Sequence, residues 1–167
     1  TETKALFRLA VAGTCLAFCQ GIWFTYLVTY GVSVLGYDLS QAGLLFAILQ
    51  GMSIFARVGL GWIADRTGSP RQLLALLGLA SGLTTLAWAM VGPGWAFWQV
   101  ALLSAVACVT VTSWNGVQLS EVARACPPRR VREASAGATL VIFLGYVVGP
   151  TAFALLLAAT GRYDVGL

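Results

Sequence analysis

The stretch ASAGATLVIFLGYVVGPTAFALLLAA, from Ala134 to Ala159, runs without a charged residue. A hydrocarbon core about 30 Å thick needs roughly 20 mostly apolar residues in a helix rising about 1.5 Å per residue, and this stretch exceeds that length. It is too long and too uniformly apolar for a barrel strand, so a membrane-spanning helix is the reading. Working back toward the N-terminus, four similar runs fall at about 6–30, 42–63, 73–91 and 95–122. Asp38 or Ser40 can cap the second helix, Gly92-Pro93-Gly94 separates the third from the fourth, and Cys126-Pro127-Pro128 ends the fourth. The fourth is read as continuous through Trp114-Asn115-Gly116. The sequence therefore predicts an all-α membrane protein, with five transmembrane helices filling one transmembrane domain over residues 1–167.

Composition agrees with this assignment. The chain is 59% hydrophobic and 10% charged, against about a quarter charged in an ordinary soluble domain. Its longest polar stretch, roughly Glu121 to Glu133, is too short to fold alone. The first apolar run is too long for a signal-peptide core and lacks a cleavage site, so it reads as a true span. A start at Thr1 without Met and an end soon after the fifth span are those expected of a fragment of a longer protein.

The net charge of +4 follows topology. Lys4, Arg8, Arg66, Arg71, Arg124, Arg129, Arg130 and Arg132 fall at one membrane face and Arg162 at the other. By the preference of Lys and Arg for cytoplasmic loops, the N-terminal end is cytoplasmic and the protein belongs in the plasma (inner) membrane. Basic residues spread over loops in this way are not a nucleic-acid face, so no nucleic acid is expected as a partner. Cys15, Cys19, Cys108 and Cys126 make no disulfide framework, and the absence of His leaves no convincing metal site; no cofactor is expected.

The most specific pattern is Gly61-Trp62-Ile63-Ala64-Asp65-Arg66-Thr67-Gly68-Ser69-Pro70-Arg71, between the second and third helices. Gly61 and Gly68 permit a tight turn, and charges at helix ends can pair with neighbouring ends. The pattern resembles the cytoplasmic loop motif of the major facilitator superfamily, which follows the second helix of a six-helix half. Trp114-Asn115-Gly116 with Ser120-Glu121-Val122-Ala123-Arg124 is similar to the end of that family's tenth helix, and Gly145-x-x-x-Gly149-Pro150 to its Gly-Pro element. Ser69-Pro70 departs from the usual basic pair. With no Arg from Trp95 to Val122, the chain looks like most of a C-terminal half. The resemblance implies a secondary active or facilitative transporter working by alternating access, with a missing transporter half and the lipid bilayer as partners. Gly61, Asp65, Arg66, Gly68, Arg71 and Glu121 then form a cytoplasmic gate, in which Arg66 or Arg71 approaches Glu121 and Asp65 meets a helix end.

Within the spans, Trp23 and Tyr26 share a face of the first helix, and Gln50 and Arg57 share a face of the second. A stripe with Gln50 and Arg57 is costly against lipid and should face the interior. A cation beside aromatic walls suits an amphipathic organic anion as the small-molecule solute, with Asn115 as a further contact. Small residues at Gly43, Ala47 and Gly51, at Gly78 and Gly82, and at Gly145 and Gly149 favour close helix packing. An enzyme is not expected, because no intramembrane acid pair and no nucleophile elbow occurs. The rival reading is a non-transporting scaffold or receptor on a transporter-like fold.

Overall fold

The computed structural model describes residues 2–160. Arg162, expected at the outer face, lies outside them. Helices α1 (Glu2–Ser33), α2 (Leu39–Thr67), α3 (Pro70–Ala89), α4 (Phe97–Val111), α5 (Asn115–Arg124) and α6 (Val131–Thr160) make up the fold. A single 3-10 turn, Pro128–Arg130, precedes α6, and no strand occurs among the described residues. With α4 and α5 taken together as one span, five segments are long and apolar enough to cross a membrane.

The helices overrun the apolar stretches because backbone hydrogen bonding continues into the polar ends until a cap stops it. At the start of α2 the Asp38 carboxylate accepts from Gln41 N at 2.7 Å, and the Gln41 side chain accepts from Asp38 N at 3.3 Å, a capping box. At its other end Gly68, at φ +64°, takes the left-handed conformation and returns its N–H to the Ala64 carbonyl at 3.1 Å. Pro70 then opens α3, where its missing N–H costs nothing. Of the two motif glycines only Gly68 makes the turn. Gly61 lies inside α2, facing open space.

Helix α1 packs along α6, and the glycines of α6 set how closely. A Cβ on Gly145 would collide with the Thr14 carbonyl oxygen, and one on Gly149 with that of Phe18. Opposite them, Pro150 Cδ would lie 3.1 Å from a Cβ on Gly21. The other small-residue stripes differ: a Cβ on Gly43, Gly51, Gly78 or Gly82 would meet nothing within 4 Å.

Two apolar clusters divide the bundle along its axis. One gathers Trp23, Leu27, Tyr30, Leu45, Leu49, Trp88 and Val100; the other, toward the arginine-rich end, gathers Leu9, Leu16, Leu60, Leu74, Leu77 and Trp114. Buried Gln20, Thr112 and Ser113 fall between them, where the fourth span breaks. Helix α3 turns Ser81, Thr84 and Trp88 inward and Leu76, Leu79, Leu83 and Leu86 outward.

Candidate functional site

The expected continuous fourth span is interrupted at Thr112–Trp114 without a Gly or Pro. Two hydroxyls gather on one carbonyl at the break. Thr112 Oγ1 and Ser113 Oγ both donate to the Cys108 carbonyl at 2.7 Å, so that carbonyl has side-chain donors where the backbone ladder stops. Backbone groups released in the middle of a span must find protein partners, since lipid offers none. The Thr112 carbonyl finds two, Gln20 Nε2 of α1 and Arg57 Nη2 of α2, each at 3.4 Å.

These donors stand at the wall of a cavity of about 520 Å³ lined from α1, α2, α5 and α6. Most of its polar wall is one network, and Gln118 stands apart from it, donating to the Leu9 carbonyl at 2.9 Å with its buried Oε1 unpartnered. Gln20, 1% exposed, receives the Tyr146 hydroxyl on Oε1 at 2.7 Å and Asn115 Nδ2 at 3.5 Å. Phe24, Ile142 and Phe143 make the apolar wall. Arg57 is the one charged residue among the lining side chains, and no ion pair joins it to an acidic group among the described residues. A cavity of this size with an apolar lining and a few convergent polar groups has the character of a small-molecule site.

Of the residues picked from the sequence, Arg57 and Asn115 come together here, and Trp23, Tyr26 and Gln50 do not. Trp23 is 3% exposed, its ring tilted against Trp88 with centroids 4.8 Å apart, and its Nε1 donates to Thr85 Oγ1 at 3.2 Å. Tyr26 packs on Phe153 at 4.5 Å and donates to the Pro150 carbonyl at 3.2 Å. The aromatic stripe of α1 thus packs against α3 and α6, because large rings yield more as buried contact than as cavity wall. Gln50 is half-buried two turns along α2 from Arg57, and it does not line the cavity.

At the arginine-rich end, Asp65 pairs with Arg124 at the end of α5 at 3.8 Å, with side chains 77% and 47% exposed. Among the described residues no ion pair joins the expected partners Arg66 or Arg71 to Glu121. Arg66 lies over the Trp62 ring at 5.0 Å, while Arg71 and Glu121 line a separate groove between α1 and α3. An ion pair this exposed contributes about 0–1 kcal/mol, so it can bias two conformations but not hold one.

The loop motif, the charge pairing at its end and the polar cavity wall stand on a chain that matches the Major Facilitator Superfamily over residues 2–150. The chain belongs to the major facilitator superfamily. Its place is accordingly an integral membrane one. It is 25% identical over 126 residues, 75% of this chain, to an uncharacterised MFS-type transporter of Mycobacterium tuberculosis, found in strains H37Rv and CDC 1551. It is 30% identical over 131 residues, 61% of this chain, to the mouse major facilitator superfamily domain-containing protein 12. The chain spans 28% of the length of each of these curated relatives. No solved structure matches it.

Two cavity residues of this major facilitator chain, Gln20 and Tyr146, escape a reading by aromatic stripes. Gln20 stands one position beyond Cys19, on the face it shares with Phe24. The available signal was the cost of an amide in an otherwise apolar run. Tyr146 is flanked by packing glycines and turns toward α1 only because Gly145 and Gly149 bring that helix near.

Proposed function

We propose that the chain forms most of one six-helix half of a secondary active or facilitative transporter, and that the complete protein moves a small organic anion by alternating access. The observation that carries the solute class is Arg57, a fixed cation without an acidic partner among the described residues, on the wall of a largely apolar cavity. A guanidinium so placed offers paired donors to a carboxylate, and the aromatic wall takes the solute's apolar body. Asp65 with Arg124, and Arg66 beside them, form the cytoplasmic gate of this reading, joining α2 to α5 when that side is closed. In the rest of the protein a second set of helices would complete the cavity. The test is uptake of radiolabelled benzoate and related aromatic acids into proteoliposomes of the complete protein. Saturable uptake that is absent in Arg57→Gln supports the reading; absence of saturable uptake for any small acid would return the protein to the scaffold or receptor alternative.

The orientation, N-terminal end cytoplasmic, rests on the charge asymmetry of the loops. Cys126 is a poor reporter of it, since its thiol is buried and donates to the Val122 carbonyl at 3.3 Å. Exposed Arg129 and Ser40 are better placed. In a cysteine-free background, an impermeant maleimide should label Ser40→Cys in intact cells and Arg129→Cys only after permeabilisation. The reverse pattern inverts the topology.

A further inference from the structure

The polar wall of the cavity has a fixed direction of hydrogen bonding, and Gln20 sets it. The Thr112 carbonyl can only accept, so the Gln20 amide nitrogen must be the group that faces it at 3.4 Å. Oε1 is thereby turned to α5 and α6, where it takes the Tyr146 hydroxyl at 2.7 Å and Asn115 Nδ2 at 3.5 Å. An amide oxygen cannot donate, so the Tyr146 proton is committed to Gln20. What Tyr146 keeps is oxygen lone pairs, toward which the Asn115 amide also turns as a donor, so a solute hydroxyl must share or displace that contact. Arg57 is opposite in kind, with N–H groups only, and is tied to the same Thr112 carbonyl at 3.4 Å. This part of the wall therefore joins a cationic donor to a neutral acceptor through the buried Gln20 amide, with the unpartnered Gln118 Oε1 a second neutral acceptor in the lining.

We propose that this cavity selects organic anions that carry a neutral hydrogen-bond donor beside the charged group, 2-hydroxy acids above all, with Tyr146 as the specificity-determining contact and Gln20 as its positioning residue. The inference rests on the anion reading of Arg57. Arg57 takes the carboxylate and the Tyr146 oxygen takes the hydroxyl proton. Among the described residues no Asp or Glu lines the cavity to balance an ammonium group, so a hydroxyl suits the second contact better than the amine of an amino acid. An acid with a carbonyl at the same carbon meets two acceptors face to face and leaves the Tyr146 oxygen unpaired.

The experiment is binding of mandelate, benzoylformate and mandelamide to the complete purified protein, by calorimetry. Mandelate is expected to bind about tenfold more tightly than benzoylformate, the worth of roughly one good hydrogen bond. Tyr146→Phe should bring the two anions to equal affinity by weakening mandelate alone. Gln20→Leu leaves the hydroxyl in place but frees its proton, so the preference should vanish or reverse toward benzoylformate. Equal affinity of the native protein for the two anions, or a preference unchanged in both variants, overturns the inference. Mandelamide judges the underlying reading separately. If it binds as tightly as mandelate and Arg57→Gln changes neither, the anion reading fails, and the role of Tyr146 then stands or falls by whether Tyr146→Phe weakens mandelamide. No binding of any of the three overturns both.

Discussion

Gly149→Val is expected to destabilise the chain by about 1–3 kcal/mol or more, the cost of forcing extra atoms into a packed interface. Here the obstacle is backbone. The first added carbon meets the Phe18 carbonyl oxygen of α1, which no side-chain rotation can move, so α1 and α6 must separate. Gly145→Val meets the Thr14 carbonyl one turn away and should behave alike. In the double variant one displacement of α1 relieves both collisions, so the combined loss should fall short of the sum. Separation also pulls Tyr146 from Gln20, now 2.7 Å apart, so the polar wall should loosen with the packing. Gly43→Ala and Gly51→Ala are the controls, because their added carbon meets nothing within 4 Å and helix propensity favours Ala by about 0.5–1 kcal/mol. Unfolding of the 167-residue chain in mixed micelles, followed by circular dichroism, measures all of these. Equal loss at Gly43 and Gly149 would show that the α1–α6 contact is not what the glycines serve.

Arg57→Gln should weaken binding of an aromatic carboxylate such as benzoate by roughly 10- to 150-fold, since a hydrogen bond to a charged group contributes about 1.5–3 kcal/mol. Arg57→Lys keeps the charge but loses the planar fork, and its affinity should fall between the two. Stability and affinity must be read together, because Arg57 also supports the Thr112 carbonyl at the helix break. Gln20 donates to the same carbonyl, so neither substitution leaves that oxygen without a donor. Binding to the complete purified protein is the measurement. Benzoate affinity unchanged in both variants would remove Arg57 from the solute site and, with it, the case for an anion.

The sequence by itself determined the spans, the overall class and the family. Uninterrupted apolar runs such as Ala134 to Ala159 leave the backbone no option in lipid but to bond within a helix, and the Asp38 cap and the Gly68 turn are local chemistry readable from a few residues. That Arg57 would seek a polar partner was also legible, since a cation facing lipid is costly, and it bonds the Thr112 carbonyl while remaining exposed in this chain. Tertiary structure alone decided which neighbouring faces met. A helical stripe gives an angle about its own axis and not the identity of the helix opposite, so Trp23 and Tyr26 were free to be core or cavity until α3 and α6 packed over them. The break at Thr112–Trp114 was hidden for a related reason. Threonine and serine are tolerated within spans, and the partners that satisfy the Thr112 carbonyl at this break, Gln20 and Arg57, come from 92 and 55 residues away in sequence.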